Sequence, residues 1–444
     1  MTVAPGFYRS FLRLAIANVV SNLMVPLAGL VDIAFLGHLD EIHHLAGVAL
    51  ATILFNFIYW SFGFLRMGTT GTTAQAVGRG DRSEVLLTGL RNVVLAVGIS
   101  MGILLLQVPL RELGFALLSA TDAVKASGLA YYNALIWGAP ATLLNFVLLG
   151  WFLGRGRGTQ VLLLSAVNNS SNVLLNYWLI VRLGWDSAGA GWGTALSQYL
   201  MALVGMGLVL WEIPWREWRS LLPKVLEGEA MRAAFLLNSD ILIRTFSLVM
   251  TFSLFTNLSS VLGTTILAAN TLLLQVLSFS AYFIDGIAFA TESFAGQFHG
   301  RGDRPQQVRL IRLAGSLSLA LGIGFALFFW LFPGQLFRLL TSHPDVIRST
   351  QHYVVWLFPV LGFGSIAYFL DGYFLGLTAG RILRNSSLLA TVVGFVPGAI
   401  AAWFWRSPQL LWLALSGFMA TRAITLGLRV PVTLIPINCK DASN

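Results

Sequence analysis

The segment Ser21-Asn22-Leu23-Met24-Val25-Pro26-Leu27-Ala28-Gly29-Leu30-Val31-Asp32-Ile33-Ala34-Phe35-Leu36-Gly37-His38 closes an apolar run that begins near Phe11. The run is long enough to cross a bilayer as a helix, which takes about 20 residues. One carboxylate, Asp32, lies inside it. An ionised Asp near the middle of a spanning helix costs about 2.5 kcal/mol or more, so Asp32 must face a partner or a wet cavity. Removal from water also penalises its charged form, which equips it to take up and release a proton. At helical spacing Asn18, Asn22, Val25, Gly29 and Asp32 share one face. Pro26 removes a helical hydrogen bond partway along and predicts a bend there. Asp32 is thus the expected ion-coupling residue of a transport protein, and Pro26 the place where its helix changes shape.

The remaining composition agrees with a membrane setting. Of the 444 residues 56% are hydrophobic and 11% charged, against roughly 25% charged in soluble proteins, and the mean hydropathy is +0.76. The apolar runs are of helical length rather than short and alternating, so an all-α polytopic bundle is expected and not a barrel. The first run is too long for a signal-peptide core and lacks a small-residue cleavage site, so insertion rather than export is expected. A single cysteine, Cys439, excludes an intramolecular disulfide framework or a cysteine metal cluster. Twelve spans are predicted, at 11–36, 45–76, 85–108, 126–153, 160–181, 189–211, 233–257, 263–298, 309–332, 348–376, 384–404 and 409–430. With both termini inside, most of the 28 lysines and arginines fall in cytoplasmic segments. The net charge of +9 then reads as a topology signal of a bacterial-type inner membrane and not as a nucleic-acid surface.

An internal repeat organises the chain. Arg79-Gly80-Asp81-Arg82 returns as Arg301-Gly302-Asp303-Arg304, Leu45-Ala46 as Leu267-Ala268, and Gly150-Trp151-Phe152-Leu153-Gly154 as Gly372-Tyr373-Phe374-Leu375-Gly376, every pair at one and the same offset. An even number of spans per half makes the halves parallel repeats, an arrangement of transporters with sites near the midplane. The expected division is 1–211 and 233–444, joined by a cytoplasmic linker at 212–232 that is partly an amphipathic helix. The Arg-Gly-Asp loops lack the strand context and Gly-Lys-Ser/Thr ending of a phosphate loop and read as helix stops. No ATPase signature is present, so the energy source is expected to be an ion gradient. No Ser/His pair or His-Glu-x-x-His arrangement in a span suggests an enzyme.

These residues carry a resemblance. Pro26 with Val31 to Leu39 resembles the first-helix motif of the multidrug and toxic compound extrusion (MATE) family. Ala74-Gln75-Ala76-Val77-Gly78, its echo Ala295-Gly296-Gln297, and Ala188-Gly189-Ala190-Gly191-Trp192-Gly193-Thr194-Ala195 are similar to further family motifs. Phe64 to Gly71, Leu237-Asn238-Ser239-Asp240 ahead of Ile243-Arg244-Thr245, Tyr282 to Ala288, and Leu370-Asp371-Gly372 resemble its DinF branch. The resemblance implies a V-shaped bundle of two six-helix lobes that exports cationic or amphipathic organic compounds in exchange for H⁺ or Na⁺. It maps the family's first-lobe acid onto Asp32 and a second acid onto Asn176. An amide there cannot titrate, which leaves Asp32 as the only titratable member of that pair.

Asn168, Asn172 and Asn176 recur every four residues on the fifth span and can hydrogen-bond both states of Asp32; helix–helix glue is the alternative role. In the second half, Asp240, Asp285, Glu292 and Asp371 are the candidates for a cavity or an ion site. Ion pairs to Arg66, Arg244 or Arg384 compete with that role, and Asp240 with Arg244 is a helical i,i+4 pair. Na⁺ coupling through these acids and flipping of a lipid or lipid-linked glycan are the alternatives to proton-coupled export. No metal or cofactor beyond the coupling ion is expected, and the partners are small organic substrates and membrane lipid around a monomer. His38, His43 and His44, with Asp40 and Glu41, form an outer loop that reads as a solvated turn or as an external metal or pH-sensing group.

Overall fold

A computed structural model describes residues 6–39, 41–118 and 120–434. Among these the regular elements are helical: α1 (Gly6–Gly37), α2 (His43–Ser61), α3 (Phe64–Arg79), α4 (Arg82–Leu105), α5 (Gln107–Ala116), α6 (Asp122–Leu135), α7 (Ala139–Gly154), α8 (Gly158–Asn176), α9 (Asp186–Glu212), α10 (Trp215–Val225), α11 (Gly228–Leu262), α12 (Thr264–Arg301), α13 (Arg304–Leu331), α14 (Pro333–Leu340), α15 (Pro344–Tyr353), α16 (Leu357–Gly376), α17 (Gly380–Leu389), α18 (Val396–Trp405), α19 (Pro408–Gly427) and α20 (Val430–Thr433). Asp40 and Cys439 lie outside the described residues.

Eleven of the helical segments among the described residues are long and apolar enough to cross a membrane. The remaining expected span is α8 with its π-helical continuation Tyr177–Arg182. Asn168, Asn169, Asn172 and Asn176 lower its hydropathy, and Gly158 opens it just as Gly380, at the offset of the repeat, opens the matching span. That span too contains a π-helical turn, Ala390–Phe395, just ahead of Pro397. Among the described residues these segments and α8 make twelve helical spans, six in each half of the repeat.

The chain divides into two compact units, Met1–Leu242 and Ile243–Asn444, with the division inside α11. Each unit shows how the repeat builds the same corner. At Gly80 (φ 72°) the Gly80 and Asp81 amides donate back to Val77 and Ala76 carbonyls at 3.1 and 3.0 Å, and Asp81 accepts from the Glu84 amide at 2.9 Å to start α4. At Gly302 (φ 70°) the same bonds return to His299 and Phe298, and Asp303 accepts from the Gln306 amide. Glycine supplies the left-handed residue that ends one helix, and the aspartate caps the next. The Arg-Gly-Asp loops are therefore helix stops.

The glycine pairs do equivalent work one helix further on. A Cβ on Gly150 or Gly154 would strike the carbonyl oxygens of Arg66 and Thr70 on α3; one on Gly372 or Gly376 would strike those of Ala288 and Glu292 on α12. Arg66 and Ala288, and Thr70 and Glu292, again stand at the offset of the repeat. Small residues at four-residue spacing let the backbones of α7 on α3, and α16 on α12, close to contact. Elsewhere in the second unit polar groups join helices, as where Trp412 donates to Asn270 at 2.9 Å and Asn270 to Ser259 at 2.8 Å.

Within 212–232 the chain forms the helix α10. In α10 Trp218, Leu221 and Val225, at helical spacing, are buried. Arg82 grips Glu217 with two hydrogen bonds of 3.0 Å, and Arg91 reaches Glu84 at 2.8 Å and the Lys224 carbonyl at 3.3 Å.

Candidate functional site

In the first unit α1 and α8 run side by side in the same direction. Leu14 meets Gly158 at one end, and Asp32 meets Asn176 at the other. α1 passes through Pro26 as one continuous helix. Asn176 Nδ2 donates to Asp32 Oδ1 at 2.6 Å. Asn172 Nδ2 donates to Thr194 Oγ1 at 3.1 Å, and Thr194 donates in turn to the Ala190 carbonyl at 3.0 Å. Amides and a hydroxyl thus lead from the carboxylate into the helix packing. Tyr131 lies close enough to Asp32 to sense its charge.

Asn176 is fully buried, and its position depends on a glycine that the sequence marks only as part of the motif at 188–195. Gly193 of α9 leaves the space that the Asn176 side chain fills; a Cβ there would overlap its Oδ1. The only clue in the chain is the small-residue run Ala188 to Ala195. Asn18 and Ser21 are buried on α1, and Asn168 half-buried on α8, between the two α1–α8 contacts. Asn18 Nδ2, Ser21 Oγ and Asn168 Oδ1 have no hydrogen-bond partner among the described residues. Asn22 is half-buried on the same helix.

Among the described residues no Lys or Arg pairs with Asp32. The second unit presents the opposite case. Asp371 Oδ2 accepts from Arg244 Nη2 at 2.6 Å and also from Arg422 Nη2, and all three side chains are buried. Arg422, fully buried, lies over the rings of Phe418 and Tyr368 at 5.7 and 5.8 Å. Asp285 shares the surroundings of Tyr368 with Asp371 and both arginines. Glu292 is fully buried on α12 and Asp240 is buried on α11, inside the first unit's bounds. Arg244 is a partner expected among several; Arg422, well beyond Asp371 in the chain, is not marked by any local spacing.

The first unit also holds a cleft of about 440 Å³ beside the Arg-Gly-Asp corner, lined among others by Val77, Arg82, Trp151, Arg155 and Arg157. Arg155 closes on Glu212 at 2.7 Å and stacks 4.2 Å over Trp151. None of the expected site residues lines it.

Comparison with known proteins agrees with this architecture. The model of the MatE family matches residues 18–178 and 241–400, two segments whose separation repeats the internal duplication. The chain is 34% identical to DNA damage-inducible protein F of Escherichia coli (strain K12) over 416 residues, 93% of this chain and 90% of that protein. It is 25% identical to a probable multidrug resistance protein NorM of Thermotoga maritima, over 82% of this chain and 78% of that one. In fold it is similar to a multidrug resistance MATE family transporter of the MOP superfamily in an outward-facing conformation (TM-score 0.86, 18% identity, 96% of each chain). It is similar as well to the Vibrio cholerae MATE transporter VcmN in its bent form (TM-score 0.84, 21% identity, 96% of each chain). With a duplicated helical bundle, a family match across both halves and a relative aligned over nearly its whole length, this chain belongs to the MATE family of membrane transporters, beside the DinF protein.

Proposed function

We propose that this protein exports cationic or amphipathic organic compounds in exchange for protons, by alternating access, with Asp32 carrying the coupling proton. The observation that carries the reading is the contrast between two intramembrane acids. Asp32 has a neutral amide as its partner, so it can exist with or without its charge, and Asn176 can serve either form. Asp371 is held by two guanidinium groups, which favour its charged form and compete with any further cation for its Oδ2. This favours H⁺ at Asp32 over Na⁺ at the second unit's acids. It also counts against a flippase for phosphate-bearing lipids, because Arg244 and Arg422 are already engaged.

In this scheme a proton arriving from the outer side neutralises Asp32. The first helix repacks about Pro26 and the cation site weakens, so that cargo leaves. After reorientation the higher cytosolic pH removes the proton, and the restored charge admits new cargo. The lobes, 1–211 and 233–444, move about the linker 212–232, with both termini in the cytoplasm of a bacterial-type inner membrane. The protein acts as a monomer and uses no cofactor besides the coupling ion. The names of its relatives, multidrug resistance proteins among them, support the cargo class.

The test is transport of a fluorescent lipophilic cation in reconstituted vesicles under an imposed pH gradient. Asp32→Asn is expected to abolish gradient-driven movement while the protein remains folded in the bilayer. Coupled transport that survives this change overturns the proposal, and transport driven by a Na⁺ gradient alone that Asp371→Asn abolishes moves the coupling to the second unit.

A further inference from the structure

Three helices of the first unit meet at the end opposite the Arg-Gly-Asp corner. α2 begins there with His43 and His44, α9 begins with Asp186 and Ser187, and Ser127 of α6 lies within 3.4 Å of His44. The two imidazole rings are 4.3 Å apart between centroids. His43 Nδ1 is 3.1 Å from Glu41 Oε2, and His44 Nε2 is 3.7 Å from Asp186 Oδ2. One ligand atom from each of Glu41, His43 and His44 lies within 4.8 Å of the other two.

The 3.1 Å between Glu41 and His43 is close to the roughly 3.4 Å between neighbouring ligands of a tetrahedron with bonds of about 2.1 Å, the usual length of Zn–N and Zn–O bonds. A second contact holds the His44 ring. Ser187, buried at 1% exposure, lies 3.1 Å from His44 Nδ1, and its hydroxyl is 3.4 Å from the His44 carbonyl to which it donates. In the site proposed below, Nδ1–H donates to Ser187 and Nε2 is the ligand atom. Metal-bound histidines are held in this way, by a hydrogen bond from the other ring nitrogen.

We propose that Glu41, His43 and His44 form a binding site for a transition-metal dication of the Zn²⁺ type, with Asp186 beside His44 outside the ligand group. Two imidazoles and one carboxylate suit such an ion, whereas Ca²⁺ and Mg²⁺ select shells made of oxygen. This is a site separate from Asp32, and its test does not depend on transport.

The full-length protein, purified without a polyhistidine tag, is titrated with ZnCl₂ against a competing indicator. Saturable binding of one equivalent is expected, undisturbed by Mg²⁺ or Ca²⁺ in about 100-fold excess. His44→Gln lowers the affinity at least about tenfold, and Ser187→Ala by about tenfold, as the loss of a supporting hydrogen bond does in metal sites. His38→Gln, at the same end, leaves it unchanged. Should His44→Gln fail to fold, the exposed Glu41→Gln carries the same test and is expected to weaken binding. No saturable binding by the wild-type protein, or an affinity unaltered by removing either Glu41 or both histidines, overturns the proposal.

Discussion

Asp32 and Asp371 are the same residue type in opposite circumstances, and substitution by Asn should separate their roles. Asparagine at 32 keeps a hydrogen bond to Asn176 and should leave unfolding in a detergent–SDS titration within about 1 kcal/mol of wild type, a typical net worth of one hydrogen bond. Asparagine at 371 removes the negative charge that Arg244 and Arg422 share, and breaking a buried ion pair costs about 3–5 kcal/mol. A large drop in the unfolding midpoint is therefore expected for Asp371→Asn and not for Asp32→Asn. Equal stability of the two variants would show that the arginines find other partners. Asp32 is legible in the chain because a lone acid in an apolar run has no cheap explanation, and Asn176 because asparagines recur every helical turn. Gly193 and Arg422 are hidden, since what matters in each case is an approach between helices that no local spacing records.

At the scale of the helices, the repeat preserves geometry more faithfully than sequence. Gly156 (φ 70°) ends α7 with amide bonds from Gly156 to Leu153 at 2.8 Å and from Arg157 to Phe152 at 2.9 Å. Thr378, its counterpart in the repeat, ends α16 with equivalent bonds to Leu375 and Phe374, both 2.9 Å, at φ 55°. A β-branched residue in that region is strained, by about 1–3 kcal/mol. Replacing it with glycine relieves the strain, less about 0.5–1 kcal/mol for the added chain freedom. Thr378→Gly should therefore raise the SDS unfolding midpoint, by an amount corresponding to roughly 1 kcal/mol. A lowered midpoint would mean that the hydroxyl stabilises this corner more than its backbone costs. The Arg-Gly-Asp corners and the glycine pairs were readable as helix stops and a duplication because they stand at one unbroken offset. The π-helical turns were not, because one extra residue per turn changes neither composition nor apolar pattern.

For the whole molecule, the number and order of the spans follow from apolar length, with α8 the instructive case: its asparagines make it the least apolar span and also the one that meets Asp32. The pairing of charges across the second unit had to await the structure, since which of its acids meets which arginine depends on how helices far apart in the chain are packed. The neutral surroundings of Asp32 carry an electrical consequence. One carboxylate that accepts either a proton or a monovalent cation carries the same net charge in both loaded states, so a one-for-one exchange through it moves no current. Such a cycle is electroneutral: a valinomycin-imposed K⁺ diffusion potential at equal pH should not drive cargo, whereas a pH step at zero voltage should. Voltage-driven accumulation in that assay would require a second ionisable group to travel with the first.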